Sequence, residues 1–200
     1  MTESSLARTA AARGKVAPER LAHIVVRTKL ERVAEMAAWY CTVLEAEVVF
    51  GNPFLQFLTY DEEHHRLAIV GQPGLGDRVV NTIGVHHVAF TYSSLKDLVH
   101  TYERLKANDI EPSICIHHGA TVSMYFLDPD RNQVELQIEV FDSPEEIDAF
   151  LKSGHFAKNP IGVHFDPEIL IRRFHEGVPE AELKRPLEGP PPKPEAFPIH

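Results

Sequence analysis

Two short phrases, each headed by a histidine, carry the strongest chemical signal in the sequence. His23 opens the phrase His-Ile-Val-Val, and His87 opens the phrase His-Val-Ala-Phe about 64 residues later. Each phrase predicts a short apolar strand, and the stretch that follows each has the composition of a helix. A repeat of this period predicts two copies of one supersecondary unit. Histidines at equivalent places in paired units can converge on one point, and imidazole is the commonest metal ligand.

A glutamate in the last predicted strand is the third candidate ligand. Residues 132–136 read Asn-Gln-Val-Glu-Leu, so apolar and polar side chains alternate. This alternation places Val134 and Leu136 on one face of the strand and Glu135 on the other. Two imidazoles and one carboxylate form an open facial set that suits Fe(II), with Mn(II) as the alternative. The matching strand of the first unit, residues 67–70, offers no fourth acid, which favours an open, catalytic site.

The pattern along the chain predicts the same order of elements in both halves. The first half predicts a strand at 21–27, a helix at about 30–44 and strands near 46–51, 54–60 and 65–70. The second half predicts a strand at 85–91, a helix at about 94–108 and strands near 112–117, 121–127 and 133–139. Glycine and proline at 71–77 separate the halves. We therefore predict an α+β fold of two paired βαβββ modules that form a metal-containing cavity.

Four segments follow from this order. They are a mobile N-terminal arm at 1–19, a first module at 20–74, a second module at 75–141 and a C-terminal extension at 142–200. In the extension, Pro144 and Pro167 predict the starts of two helices. The proline-rich end predicts an extended or disordered strap. The extension has too few apolar residues for a core of its own, so we expect it to pack on the modules.

Composition limits the class of protein and its partners. The formal net charge is −9, which argues against nucleic acid and anionic membrane surfaces as partners. No apolar run reaches the roughly 18 residues of a membrane span. Two scattered cysteines do not form a disulfide framework, which predicts a cytoplasmic protein. Exposed sheet edges and the extended tail predict a homo-oligomer.

The phrases around His23, His87 and Glu135 resemble those of the vicinal oxygen chelate superfamily, which includes glyoxalases, bleomycin resistance proteins and dioxygenases. Within it, residues 20–175 resemble the one-domain type I extradiol dioxygenases. This resemblance implies that His23, His87 and Glu135 are the metal ligands. The same phrases also resemble those of glyoxalases and fosfomycin-resistance proteins, so by themselves they imply fold and metal but no reaction. The sequence departs from the family at Arg131, where the turn at 128–132 usually has glycine.

Two further phrases are more specific to extradiol dioxygenases. The segment 64–68, His-His-Arg-Leu-Ala, resembles the family phrase whose second histidine is the acid–base group, which places that role on His65. The segment 122–125, Val-Ser-Met-Tyr, resembles the phrase whose tyrosine contacts the substrate hydroxyl, which places that role on Tyr125. The family also has a histidine at the mouth of the pocket. Here both His117 and His118 are candidates, and the register does not decide between them.

Each residue also has a structural interpretation. A lone histidine at the head of a strand is usually structural or exposed, but the repeat and Glu135 favour metal binding. His65 could be an exposed neighbour of His64, and Tyr125 could be a packed strand tyrosine. Aromatic and branched side chains could form the pocket walls; the candidates are Phe54, Phe57, Ile114, Phe141 and Phe174.

The resemblance implies an Fe(II)-dependent extradiol dioxygenase that inserts O2 into a catechol such as 2,3-dihydroxybiphenyl, in aromatic-compound degradation. A second hypothesis is another metal enzyme of this fold, either a glyoxalase-like isomerase or a thiol transferase. That enzyme would need a fourth acidic ligand or a cationic substrate site, and the sequence shows neither clearly. A third hypothesis is a non-enzymatic binding protein, but such proteins usually lack the three metal ligands.

Overall fold

The computed structural model describes residues 11–79 and 82–193. Two mixed β-sheets, each carrying one long helix, confirm the predicted α+β fold of two βαβββ modules. The predicted mobile arm and proline-rich strap lie partly outside the described residues, because residues 1–10 and 194–200 are not described. Within the described part of the chain, no helix is long and apolar enough to cross a membrane.

The first module is a four-stranded sheet with one helix. Its elements are β1 (Ile24–Lys29), α1 (Val33–Leu44), β2 (Glu47–Asn52), β3 (Leu55–Thr59) and β4 (Leu67–Gln72). The strand order is β1-β4-β3-β2, with β1 parallel to β4 and the other pairs antiparallel. The first backbone bond of β1 runs from the amide of Ile24 to the carbonyl of Arg66. His23 therefore lies just before the strand, where its side chain is exposed.

The second module repeats this topology. Its elements are β5 (His87–Thr91), α2 (Leu95–Lys106), β6 (Ile114–His117), β7 (Thr121–Leu127) and β8 (Gln133–Glu139). The order is β5-β8-β7-β6, again with only the first pair parallel. Helix α2 begins where the Ser94 side chain accepts a hydrogen bond from the Asp97 amide, which satisfies one free N–H at the helix start.

One hydrophobic core lies between the helices and the inner faces of both sheets. One face of α2 is buried and carries apolar residues at helical spacing, namely Leu95, Leu98, Val99, Tyr102 and Leu105. Val134, Leu136 and Ile138 of β8 enter the same core, as the alternation of that strand predicts. The opposite face of β8 is therefore free to carry Glu135.

Polar contacts hold the two modules together around the turn at 128–132. The Tyr40 hydroxyl of α1 donates to the buried carboxylate of Asp128 at 3.0 Å. Arg32 forms an ion pair with Asp130 and donates to the carbonyl of Pro129 at 2.8 Å. This turn leads directly into β8, so the first module helps to set the position of the strand that carries Glu135.

The C-terminal extension packs on the modules. It contains α3 (Pro144–Leu151), α4 (Gly154–Lys158), β9 (Val163–His164), α5 (Pro167–His175) and α6 (Glu180–Leu183). Leu170, Ile171 and Leu183 lie in the same core cluster as residues of both modules. The sequence predicted α3 and α5 but neither α4, α6 nor β9. Strand β9 exists through its pairing with Ile116 and His117 of β6, and such a tertiary contact leaves no local pattern.

Candidate active site

The outer face of the second sheet brings three polar side chains together. In the register, Glu135 of β8 lies opposite Ala89 of β5 on one side and Tyr125 of β7 on the other. His87 shares a face with Ala89, two residues away, and its Nε2 lies 2.9 Å from Glu135 Oε2. The rings of His87 and Tyr125 meet edge to face at 5.4 Å. Strand alternation and register thus place His87, Tyr125 and Glu135 on the same face of the sheet, in contact with one another.

The carboxylate of Glu135 is almost fully buried, with the residue only 4% exposed. Burial by itself would raise its pKa, but hydrogen bonds from His87, Ser123 and Tyr125 and the charge of His87 together hold the pKa below its usual value. The cluster therefore maintains a buried negative charge, which attracts a cation. Ser123 was missed by the sequence reasoning, although it lies two residues before Tyr125 and so faces the same side of β7.

The structure distinguishes the two adjacent histidines at the end of β6. Both ring nitrogens of His118 are engaged on the site side: Nε2 lies 2.8 Å from the Tyr125 hydroxyl and Nδ1 lies 2.6 Å from the carbonyl oxygen of Ile161. Its Nε2 is also 3.9 Å from Glu135 Oε1. Burial lowers the pKa of His118, and the nearby charge of Glu135 partly opposes this.

His117 points to the other side of the sheet. It is 3% exposed, and its Nε2 lies 3.1 Å from the carbonyl oxygen of Lys184 in the C-terminal extension. Its Nδ1 accepts a hydrogen bond from the amide of Gly119 at 3.1 Å. Burial lowers the pKa of His117, in keeping with a neutral ring. Of the two candidates, His118 is the one beside Tyr125 and Glu135.

A second histidine cluster lies on the first sheet. The ring of His65 stacks on Phe57, with 4.3 Å between the ring centres. The centre of the His23 ring lies 4.5 Å from that of His65. Burial lowers the pKa of His65, with further lowering from the neighbouring His64 and His23. Of the pair His64 and His65, the second contacts His23, whereas the side chain of His64 is 70% exposed.

The three predicted metal ligands are therefore divided between the sheets. His87 and Glu135 contact one another, whereas His23 lies beside His65 at the head of β1. Among the described residues, no group of three or more His, Cys, Asp and Glu side chains has metal-binding geometry. The donor chemistry nevertheless fits a divalent ion, because His87 and Glu135 offer an imidazole beside a buried carboxylate, two donor types that such ions bind.

A cavity of about 700 Å³ lies along the seam between β1 and β5. Its lining includes residues 24–29, the connecting segment around residues 75–79 and 82–86, and His87. Of the predicted wall residues, Phe57 contacts His65, and Ile114 packs with Ile116 and Tyr125 on the site face. Phe174 instead packs against the main core, because α5 folds back onto the modules.

Comparison with known proteins agrees with this architecture. A sequence model of the Glyoxalase/Bleomycin resistance protein/Dioxygenase superfamily matches residues 20–136. The chain belongs to this superfamily. The superfamily match spans most of both modules and ends one residue after Glu135, so it includes every candidate metal ligand and catalytic residue and stops before the C-terminal extension.

Two relatives within the superfamily cover most of the chain. Biphenyl-2,3-diol 1,2-dioxygenase 2 of Rhodococcus globerulus is 44% identical over 164 residues, which is 82% of this chain and 85% of that protein. Biphenyl-2,3-diol 1,2-dioxygenase 3 of the same organism is 45% identical over 166 residues, or 82% and 86% of the two chains. These relatives confirm the predicted resemblance to extradiol dioxygenases. Only 19 residues precede the superfamily match, so the similarity to both relatives must extend into the C-terminal extension.

Solved structures include more distant similarities. A lactoylglutathione lyase from Agrobacterium tumefaciens superposes with a TM-score of 0.49 at 19% identity, covering 60% of this chain and 94% of that one.

Proposed function

We propose that this protein is an Fe(II)-dependent extradiol ring-cleaving dioxygenase that acts on a catechol such as 2,3-dihydroxybiphenyl. Two lines support the proposal. The first is the identity of about 44% with proteins named biphenyl-2,3-diol 1,2-dioxygenase. The second, which carries the assignment to this site, is a cluster around the buried carboxylate of Glu135. His87 and His118 lie close to that carboxylate, and His118 contacts the hydroxyl of Tyr125.

In this proposal His23, His87 and Glu135 hold the divalent ion, with Fe(II) preferred and Mn(II) as the alternative. Such an ion, when bound, would bring the two catechol oxygens and O2 together on its open positions. His23 and His87 stand at the heads of the equivalent strands β1 and β5, which supports equivalent roles. The low pKa of Glu135 supports its use as an anionic ligand.

The remaining polar residues act on the substrate's protons. Tyr125 lies beside Glu135 in the sheet register, so its hydroxyl can bond a catechol oxygen held at the same place. His118 accepts a proton from Tyr125 or returns one to it, because its Nε2 lies 2.8 Å from the Tyr125 hydroxyl. His65 takes the proton of the second catechol hydroxyl. Its position supports this role, because its ring stacks on Phe57 and lies beside the ring of His23. Both atoms of O2 enter the product, and the catechol supplies the electrons, so no other reductant is needed.

We propose that the working form is a homo-oligomer in the cytoplasm, and an exposed edge strand supports the oligomer. Strand β2 is one edge of the first sheet, and its Val48, Val49 and Phe50 are each about half exposed. Apolar edge strands commonly pair with another chain. Light scattering of the purified protein would test this: a monomer at micromolar concentration would contradict it.

The reaction is tested by reconstituting the protein anaerobically with Fe(II) and, separately, with Mn(II). A panel of 2,3-dihydroxybiphenyl, catechol and substituted catechols is then mixed with air, and the yellow ring-opened product is followed by absorbance. With ¹⁸O₂, the product should gain two labelled oxygen atoms. No oxygen uptake with any catechol under either metal would overturn the proposal, and oxygen-independent conversion of a glutathione adduct would favour the isomerase hypothesis.

A further inference from the structure

A short loop of the C-terminal extension, residues 159–162, contacts the candidate site at His118. The carbonyl oxygen of Ile161 lies 2.6 Å from Nδ1 of His118, whose other nitrogen faces Tyr125. We propose that this loop positions His118, with Asn159 and Gly162 as positioning residues that hold the Ile161 carbonyl against the ring. The inference rests on the proposed function for its catalytic consequence, but the placement of the ring can be tested without it.

The loop is built around the side-chain amide of Asn159. Its Oδ1 accepts from the amide of Gly162 at 2.9 Å, and its Nδ2 donates to the carbonyl of the same glycine at 2.8 Å. The same Nδ2 lies 3.2 Å from the carbonyl of Gly189, near the end of the described chain. One amide thus closes the loop and ties it to the last part of the extension, which fixes the direction of the intervening Ile161 carbonyl.

Gly162 allows the loop to press against the two histidines. Its φ is +102°, a conformation that other residues rarely adopt. A Cβ at this position would lie 2.3 Å from the carbonyl oxygen of His117 and 2.7 Å from the Cα of His118. Both contacts are with backbone, which cannot rotate away. Any larger residue must therefore push the loop away from the backbone of His117 and His118.

The loop also decides which nitrogen of His118 carries a proton. A carbonyl oxygen can only accept, so Nδ1 must be protonated to bond Ile161. In the neutral ring Nε2 is then an acceptor and points at the Tyr125 hydroxyl at 2.8 Å. Tyr125 has one proton and lies close to both His118 and Glu135. Holding His118 in this tautomer gives the tyrosine a proton acceptor other than the carboxylate.

A second set of contacts anchors the loop from the opposite side of the sheet. Val163 and His164 form β9 and pair with Ile116 and His117. The neutral His117 ring is locked as well, since Gly119 N–H donates to Nδ1 and Nε2–H must donate to the carbonyl of Lys184. Each of the two adjacent histidines therefore donates a hydrogen bond to a carbonyl of the extension, one on each face of the sheet. The extension is positioned by His117 and in turn positions His118.

Gly162→Ala is the first test, and Gly177→Ala is its matched control. Gly177 also lies in the extension and has a positive φ of +79°, but a Cβ there meets nothing within 4 Å. The control thus carries the backbone strain without the clash. With the Fe(II)-loaded protein we expect Gly162→Ala to lower kcat for 2,3-dihydroxybiphenyl by about 10-fold to 100-fold, with iron content unchanged. Gly177→Ala should leave kcat within about two-fold of the wild type.

Asn159→Ala is the second variant, in case Gly162→Ala fails to fold. It removes the loop's central bonds without a clash and should lower kcat in the same way. Ile169→Ala is its control, because that side chain lies in α5 of the same extension, outside the loop, and is 46% exposed. We expect Ile169→Ala to keep the wild-type kcat.

An activity-independent measurement completes the test. In the full-length chain labelled with ¹⁵N-histidine, nuclear magnetic resonance should show His118 as the Nδ1–H tautomer in the wild type and both controls. A mixture of tautomers is expected in Gly162→Ala and Asn159→Ala. Folded Gly162→Ala and Asn159→Ala proteins that keep both the tautomer and the kcat would overturn the inference. If the wild type cleaves no catechol, the proposed function fails, while the tautomer experiment still decides whether the loop positions His118.

Discussion

The hydroxyl of Tyr40 donates to Oδ2 of Asp128 at 3.0 Å, and this bond joins α1 of the first module to the turn before β8 of the second. Asp128 is buried, and its other oxygen accepts from the amides of Asp130 and Asn132 at 3.0 and 2.7 Å. Burial raises the pKa of Asp128, and its hydrogen bonds only partly offset this. A buried carboxylate of this kind depends on every donor that it has.

Tyr40→Phe should therefore lower the free energy of unfolding by about 1–3 kcal/mol, since it removes a buried donor to a charged group. Urea denaturation followed by circular dichroism measures the change. Tyr60→Phe is the matched control: Tyr60 is 43% exposed, and its substitution should change stability by less than about 0.5 kcal/mol. Equal effects of the two substitutions would show that the bond to Asp128 contributes nothing of its own.

Arg131→Gly should stabilise the same turn. Arg131 has a φ of +66°, a left-handed conformation that is unfavourable for residues with a Cβ. Glycine adopts it freely, so we expect a gain of roughly 0.5–1 kcal/mol after the greater chain entropy of glycine is subtracted. Arg131→Ala keeps the Cβ and serves as the control with no such gain. A glycine variant that is no more stable than the alanine variant would refute the argument.

The sequence alone was enough to predict elements whose pattern is local. The alternation around Glu135 predicted both the buried face of β8 and the direction of the carboxylate, and the composition of residues 94–108 predicted helix α2. The choice between His117 and His118 was different. Both lie at the end of one strand, and tertiary contacts distinguish their surroundings, among them the carbonyl of residue 161 at His118 and that of residue 184 at His117. Contacts over more than 40 residues leave no periodic signal.

The same limit applies to the metal ligands. The repeat predicted that His23 and His87 occupy equivalent strand heads, which the structure shows. It could not predict that His87 contacts Glu135 while His23 packs on His65, because that depends on how the two sheets meet. The role of these residues as ligands remains a prediction.

Glu135→Ala should abolish stoichiometric metal binding. The substitution removes the only anionic member of the predicted ligand set, so we expect a loss of about one equivalent of iron by elemental analysis after reconstitution. Gln137→Ala is the matched control, because Gln137 lies two residues further along β8 and bonds Thr91 at 3.0 Å. It should retain its iron. Full iron occupancy in Glu135→Ala would show that the metal, if present, is bound elsewhere.

Substitution of the two histidines at the end of β6 should separate activity from stability. His118→Ala removes the partner of Tyr125 and should reduce kcat by about 10²-fold while the protein stays folded. His117→Ala leaves the carbonyl of Lys184 and the amide of Gly119 without their partner in a buried place. It should lower the free energy of unfolding by about 1–3 kcal/mol. Thermal unfolding and steady-state kinetics on both variants measure the contrast, and the reverse pattern would contradict the assignment.

The pair His64 and His65 gives the sharpest test of the proposed chemistry. His65→Phe preserves an aromatic ring against Phe57 and removes the nitrogens, so the protein should fold and keep its iron. It should lose turnover by roughly 10²-fold or more, the usual scale of general acid–base catalysis. His64→Phe changes the exposed neighbour and should leave kcat within about two-fold, because its side chain is 70% exposed. Steady-state oxygen uptake with iron content measured on the same samples separates the two variants. Loss of turnover in His64→Phe with a normal His65→Phe would move the acid–base role by one residue, and loss of iron in His65→Phe would make that histidine a ligand.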